Sequence, residues 1–126
     1  MVTAIAIVVL AAVIIGFVVY KIISAKADPM LAEAQEIETV TADLITVFYK
    51  RADVLEKLKN DKDLLPVAIK NKVNVKGMEK IHIIATLYNQ KKGEVVEMND
   101  RLNYVAAGMD RKLTEMFGDK DMIILK

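Results

Sequence analysis

Two hydrophobic patterns divide this chain. From Val2 to Tyr20 the apolar positions are continuous, broken only by Thr3, alanines and Gly16, with no charge among them. Beyond Ala27 apolar residues are interspersed with polar and charged ones and recur at steps of three or four, the spacing that keeps one face of a helix buried.

An uncharged run of this kind gains on the order of −5 kcal/mol on insertion into lipid. At 1.5 Å per residue it reaches about 28 Å, close to the hydrocarbon thickness. The run therefore predicts a transmembrane helix over Val2–Tyr20, with residues 1–27 as anchor and juxtamembrane segment. A cleaved signal is suggested by the small-x-small step Ala25-Lys26-Ala27, but the run exceeds a signal h-region and no positive n-region precedes it. Lys21 and Lys26 follow the run, so the positive-inside rule puts the N-terminus outside and the following domain in the cytoplasm. Ala12 and Gly16 form a small-xxx-small pair, a candidate helix-helix contact in the membrane; alternatively both face lipid.

Residues 28–126 are expected to form one all-helical soluble domain. Asp28-Pro29 is a helix start signal, and Met30, Ala34, Ile37, Thr41, Leu44, Phe48, Ala52, Leu55 and Leu58 continue one stripe, predicting a long helix over about 29–60. Residues 61–77 read as a connector closed by Lys76-Gly77. Ile81, Ile84, Tyr88, Val95, Met98, Leu102, Val105, Met109, Leu113 and Met116 then predict a second long helix over about 78–117, stopped by Gly118. Two helices, each with a single apolar stripe, should fold back on one another. The expected fold is thus all-α: a transmembrane helix, then an antiparallel helical hairpin, or small bundle with coiled-coil-like packing. The tail, residues 118–126, carries Met122, Ile123, Ile124 and Leu125, which would lie at the membrane surface or cover the open end of the hairpin.

Charge and composition narrow the chemistry. Lys plus Arg number 18 against 17 Asp plus Glu, so no field draws in nucleic acid. The absence of cysteine removes disulfides and thiolate sites. Glu79 and His82 match the Glu-x-x-His spacing of helical di-iron proteins, but His82 is the single histidine. Asp61 with Asp63, and Asp119 with Asp121, resemble solvated turn residues more than a calcium loop. No catalytic residues, cofactor, metal or small-molecule substrate are indicated. Glu33, Glu36 and Glu38 suit the first turns of a helix. Lys57, Lys59, Lys70, Lys72 and Lys76 form a basic group that is either a solvated face or a docking site for an acidic partner.

The segment Ile45, Val47, Lys50, Arg51, Ala52, Asp53, Val54 and Leu55 resembles a segment of the LemA family, as does the order of a membrane span followed by long helices. One basic residue of that pattern is missing, and the aspartate–aliphatic–proline step falls later, at Asp63-Leu64-Leu65-Pro66. The resemblance implies long antiparallel helices and membrane-anchored scaffolding. The expectation is therefore a non-enzymatic, membrane-anchored helical scaffold or protein-interaction module, with the lipid bilayer and a protein partner or a second copy as its contacts. A phage or viral structural or spanin-like lysis protein is the alternative, and a helical di-metal enzyme the third class.

Overall fold

The computed structural model describes Ile7, Val8, Lys21, residues 27–96 and residues 101–125. These build a mixed β-sheet with three of its four helices on one face and the first, short helix on the other, which corrects the all-α expectation. In chain order the elements are β1 (Ile7–Val8), α1 (Ala27–Leu31), β2 (Gln35–Val40), α2 (Ala42–Tyr49), α3 (Ala52–Asn60), β3 (Leu64–Val75), β4 (Met78–Asn89), β5 (Glu94–Val95), β6 (Leu102–Met109), α4 (Arg111–Phe117) and β7 (Met122–Leu125). Across the sheet the order is β1, β7, β3, β4, β6, β2, with β5 also pairing β4. All neighbours are antiparallel except β2 and β6.

The centre of the sheet is the β3–β4 hairpin. It pairs without a slip from Leu64↔Asn89 to Val75↔Met78. Its turn is Lys76-Gly77, with φ of 53° and 82°, the two successive left-handed residues that match the right-handed twist of the strands. The amide of Gly77 donates to Asn74 Oδ1 at 2.9 Å. Segment 61–77 is thus mostly a strand, not a connector. Leu64 to Ile69 are half-buried to fully buried, and an apolar run that short suits a strand covered on both faces.

Alternation sorts the side chains. Ala68, Ile83, Ala85, Leu87, Leu102, Ala106, Ile123 and Leu125 turn to the helical face, where Ile45, Phe48, Tyr49, Val54, Leu113 and Phe117 complete the main core. Fully burying each large member stabilises by about 1.5–3 kcal/mol. Val67, Ile69, Ile84, Tyr88, Val95 and Ile124 form a second cluster on the other face, with Met30 packed on it. Tyr49 reaches down from α2 to the sheet, donating from its hydroxyl toward the carbonyls of Val67 (2.5 Å) and Thr86 (3.1 Å).

The helices are short because each is stopped locally. Thr41 caps α2 by accepting from the Leu44 amide, and α2 ends at Tyr49 before the Lys50–Arg51 step. Asp110 caps α4, accepting from the Leu113 amide at 2.8 Å, and its carboxylate also accepts from the Ala42 amide at 3.2 Å. One side chain thereby holds two helix starts together, where the parallel strands β2 and β6 end side by side at Val40↔Met109. Gly118 at φ 58° ends α4 after Phe117, the stop that the sequence announced.

Several expectations are overturned. The stretch 29–60 is α1, β2, α2 and α3, and 78–117 is β4, β5, β6 and α4; neither long helix exists, nor the helical hairpin, bundle or coiled coil. Ile7 and Val8 fall inside the run read as a transmembrane helix, yet both are extended and pair with Leu125 and Ile124. A Val- and Ile-rich run has the composition of a strand as much as of a membrane helix. The unbroken helix over Val2–Tyr20 is contradicted, and among the described residues no helix is long and apolar enough to cross a membrane. The single-pass topology and the placement of the N-terminus outside and the domain in the cytoplasm lose their basis with it. The rest of the run, including Ala12 and Gly16, lies outside the described residues.

Candidate functional site

Open sheet edges and clefts are where this fold can meet other molecules. Among the described strands β2 ends the sheet on one side, and Gln35, Glu36, Glu38 and Thr39 are exposed along it. Which backbone groups β2 turns outward follows from the ladder. The Lys70 amide donates to the Asp121 carbonyl, on the β7 side of β3, and the Gln90 amide donates to the Asp63 carbonyl, so even-numbered β3 residues face away from β4. Lys70 stands opposite Ile83, and Ile83 opposite Tyr104. Alternation then turns Ile83 toward β6, Tyr104 toward β4, and Val105 toward β2. Val105 is the partner of Glu36 in a parallel pair; it bonds to the residues flanking Glu36. Glu36 therefore directs both N–H and C=O outward, where no described strand meets it. The phase changes toward the end of β2, where Glu38 has no register partner on β6 and the Val40 carbonyl accepts from the Asp110 amide at 3.0 Å.

The charge of this edge is acidic. Glu33, Glu36 and Glu38 are exposed, and Lys80 approaches Glu36 from the sheet, Nζ to Oε1 4.0 Å. Their spacing suits the first turns of a helix, but here they flank or line the strand edge. The sequence held the signal, because Glu36-Ile37-Glu38-Thr39-Val40 alternates with period two and is β-branched at Ile, Thr and Val.

The opposite side of the sheet is basic. β7 accompanies β3 only over Val67–Ile69, leaving the outer edge of Lys72–Val75 without a strand among the described residues. Lys72 and Lys76 are exposed there. Lys70 sits 3.5 Å from Asp121 Oδ1 and 5.7 Å from the centre of the Phe117 ring. The basic group of the sequence is split, since Lys57 and Lys59 belong to α3.

Met122, Ile123, Ile124 and Leu125 form β7, between β1 and β3, with the last three buried. Their apolar character fills the interior of the sheet; they are not a tail lying on a surface or capping a hairpin.

His82 is buried on the face opposite α2, α3 and α4, Nε2 2.6 Å from Asn103 Oδ1. Asn103 donates from Nδ2 to the Met30 carbonyl at 2.9 Å, so its oxygen is the acceptor and His82 donates from Nε2. This relay fastens α1 to the sheet. Glu79 lies three residues away along the same strand and so points to the other face, which removes the helical ligand pair. Asp61 Oδ1 accepts from the Asp63 amide in a turn, and Asp121 meets Lys70. Among the described residues no group of three His, Cys, Asp or Glu side chains is placed to hold a metal ion.

A cleft of about 570 Å³ lies between the end of α3 and the β4–β5 turn, with Leu64, Val95 and Val96 among its apolar lining and Glu56, Lys57, Asp61, Lys92 and Glu94 among its charges. Asn89 is occupied with the turn, accepting from the Lys92 amide at 2.9 Å. Charges of both signs surround the cleft, and no nucleophile with a neighbouring base faces it.

No family model matches the chain, and neither a curated protein nor a solved structure matches it.

Proposed function

We propose that this chain is a non-catalytic protein-interaction module that takes up an extended partner segment along β2. The observation that carries the reading is the outward phase of Glu36 on a six-residue edge strand. Strand addition supplies affinity through main-chain bonds and specificity through alternate side chains. With Glu33, Glu36 and Glu38 along the edge, the favoured partner is an extended segment alternating basic and aliphatic residues.

The natural test uses a short fluorescein-labelled peptide of alternating lysine and valine. Saturable binding is expected, with slowed exchange of the Glu36 amide. Glu36→Pro, which removes an outward N–H while leaving the bonds to β6, is expected to abolish it. Equal binding by that variant, or protection confined to the cleft beside α3, would refute the reading.

A further inference from the structure

The cleft between α3 and the β4–β5 turn is a second place where this fold can take up another molecule, and it shares no lining residue with β2. We infer that it binds a small aliphatic zwitterion, an aliphatic amino acid or a dipeptide of such residues, with the ammonium group toward the end of α3 and the carboxylate toward Asn89 and Lys92.

Asn89 is the fixed point of the site. It ends β4 and is only 9 % exposed, yet it lines the cleft. Its Oδ1 accepts from the Lys92 amide at 2.9 Å, which sets the orientation of the side-chain amide and leaves Nδ2 as the group with protons to give. Among the described residues no acceptor meets Nδ2, and the atom is not fully enclosed. A donor held this deep favours a ligand acceptor over none, and a carboxylate is the strongest acceptor a small molecule offers. Lys92, exposed on the same turn, adds the opposite charge.

The other wall is negative. The closing bond of α3 runs from the Asp61 amide to the Lys57 carbonyl at 3.1 Å, and the free carbonyls of a last turn give a helix end partial negative charge. Glu56 and Asp61 stand on this wall against Lys57 alone, so a ligand ammonium is favoured there. Across the cleft Glu94 is offset by Lys92, and the Asn89 donor tips that wall toward an anion. A plain anion would leave the α3 wall unmatched, and a plain cation would leave Asn89 and Lys92 unmatched.

Between the walls the surface is aliphatic. Leu64 and Val96 are half-buried at the border of the main core, and Val95 belongs to the second cluster. They give the ligand side chain a place to leave water. No aromatic side chain is among the described lining residues, so nothing here stacks on a planar ring. The volume of about 570 Å³ falls within the range of about 300–1,000 Å³ usual for small-molecule sites.

The test is titration of the full isotope-labelled chain with leucyl-leucine and with leucine, read by NMR at the Asn89 side-chain amide. Saturable shifts of that amide are expected, and the tighter of the two compounds sets the ligand length. The N-acetylated form of that compound lacks the ammonium and the C-amidated form lacks the carboxylate. Each is expected to bind about tenfold more weakly or worse, the loss of one charge-assisted bond. Asn89→Asp keeps an acceptor for the Lys92 amide but turns the donor into a second carboxylate oxygen, and should abolish binding as followed at the Glu94 and Val95 backbone amides. Should that variant lose its native spectrum, Lys92→Glu on the exposed turn decides instead, with binding weakened several-fold. No saturable shift with either compound, capped forms that bind as tightly as the free ones, or natively folded variants that bind like the wild type would overturn the inference. The β2 reading stands or falls separately, because Glu36→Pro does not touch this cleft.

Discussion

Tyr49→Phe isolates the bond that ties the helical layer to the sheet. The side chain is fully buried, and its hydroxyl lies between the carbonyls of Val67 and Thr86. One proton cannot fully serve two acceptors, so the hydroxyl contributes the equivalent of about one bond. Val67 and Thr86 face each other in the ladder and point toward one another, so each carbonyl keeps its strand bond when the hydroxyl goes. The expected loss is about 1–1.5 kcal/mol, or roughly 4–10 °C in Tm for a folded region of this size. Burial also pushes the Tyr49 phenol well above its ordinary value of 10.0. The folded state therefore holds this proton where the unfolded chain releases it. That stabilisation is complete below pH 10 and is lost as pH rises through the raised folded value. Urea unfolding of wild type and variant from pH 7 to pH 11 measures both effects. The wild type should be the more stable at neutral pH and should decline more steeply above pH 10. Equal urea midpoints, or parallel alkaline declines, would refute the placement of this hydroxyl.

Three further changes probe the architecture. Asp110→Ala removes a cap shared by α2 and α4 and should cost about 1–3 kcal/mol in denaturant titration; a loss under a few tenths would mean the helix starts are held otherwise. Lys76→Asn, at a left-handed turn position with φ 53°, should stabilise by about 0.5–1 kcal/mol, since Asn-Gly suits this turn; a lowered Tm would contradict the turn geometry. Thr86 is buried with no hydrogen-bond partner for Oγ1 among the described residues, so Thr86→Val should leave stability equal or raise it, and a clear loss on calorimetry would reveal a partner for the hydroxyl.

Parts of this fold were legible in the sequence and others were masked by burial. Gly118 marked the end of a helix correctly, and Leu44 and Phe48 do lie on a helix packed against the core. The error arose where strands are covered on both faces. From Ile81 to Tyr88 the apolar residues include Ile81, Ile83, Ala85 and Leu87 on one face and Ile84 and Tyr88 on the other, so a helical subset such as Ile81, Ile84 and Tyr88 can be drawn from an almost filled run. Its β-branched content was the better guide. Lys76-Gly77 was likewise a two-residue hairpin turn, flanked by the alternation of Lys72-Val73-Asn74-Val75, and not the close of a connector. For the candidate site, the residues were singled out by charge but not by role. Glu36, Glu38 and Lys72 become edge residues only through pairing between distant segments, which spacing along the chain does not encode.

Residue-resolved amide exchange, followed by NMR as the lysine–valine peptide is titrated into the protein, tests the account at its centre. The amide of Glu36 should exchange quickly in the free chain and become protected as the peptide adds to the edge of β2. Those of Ile37 and Val73, already bonded within the sheet, should be slow throughout. Protection of Glu36 that ignores the peptide, or peptide binding that leaves Glu36 unprotected, would contradict it.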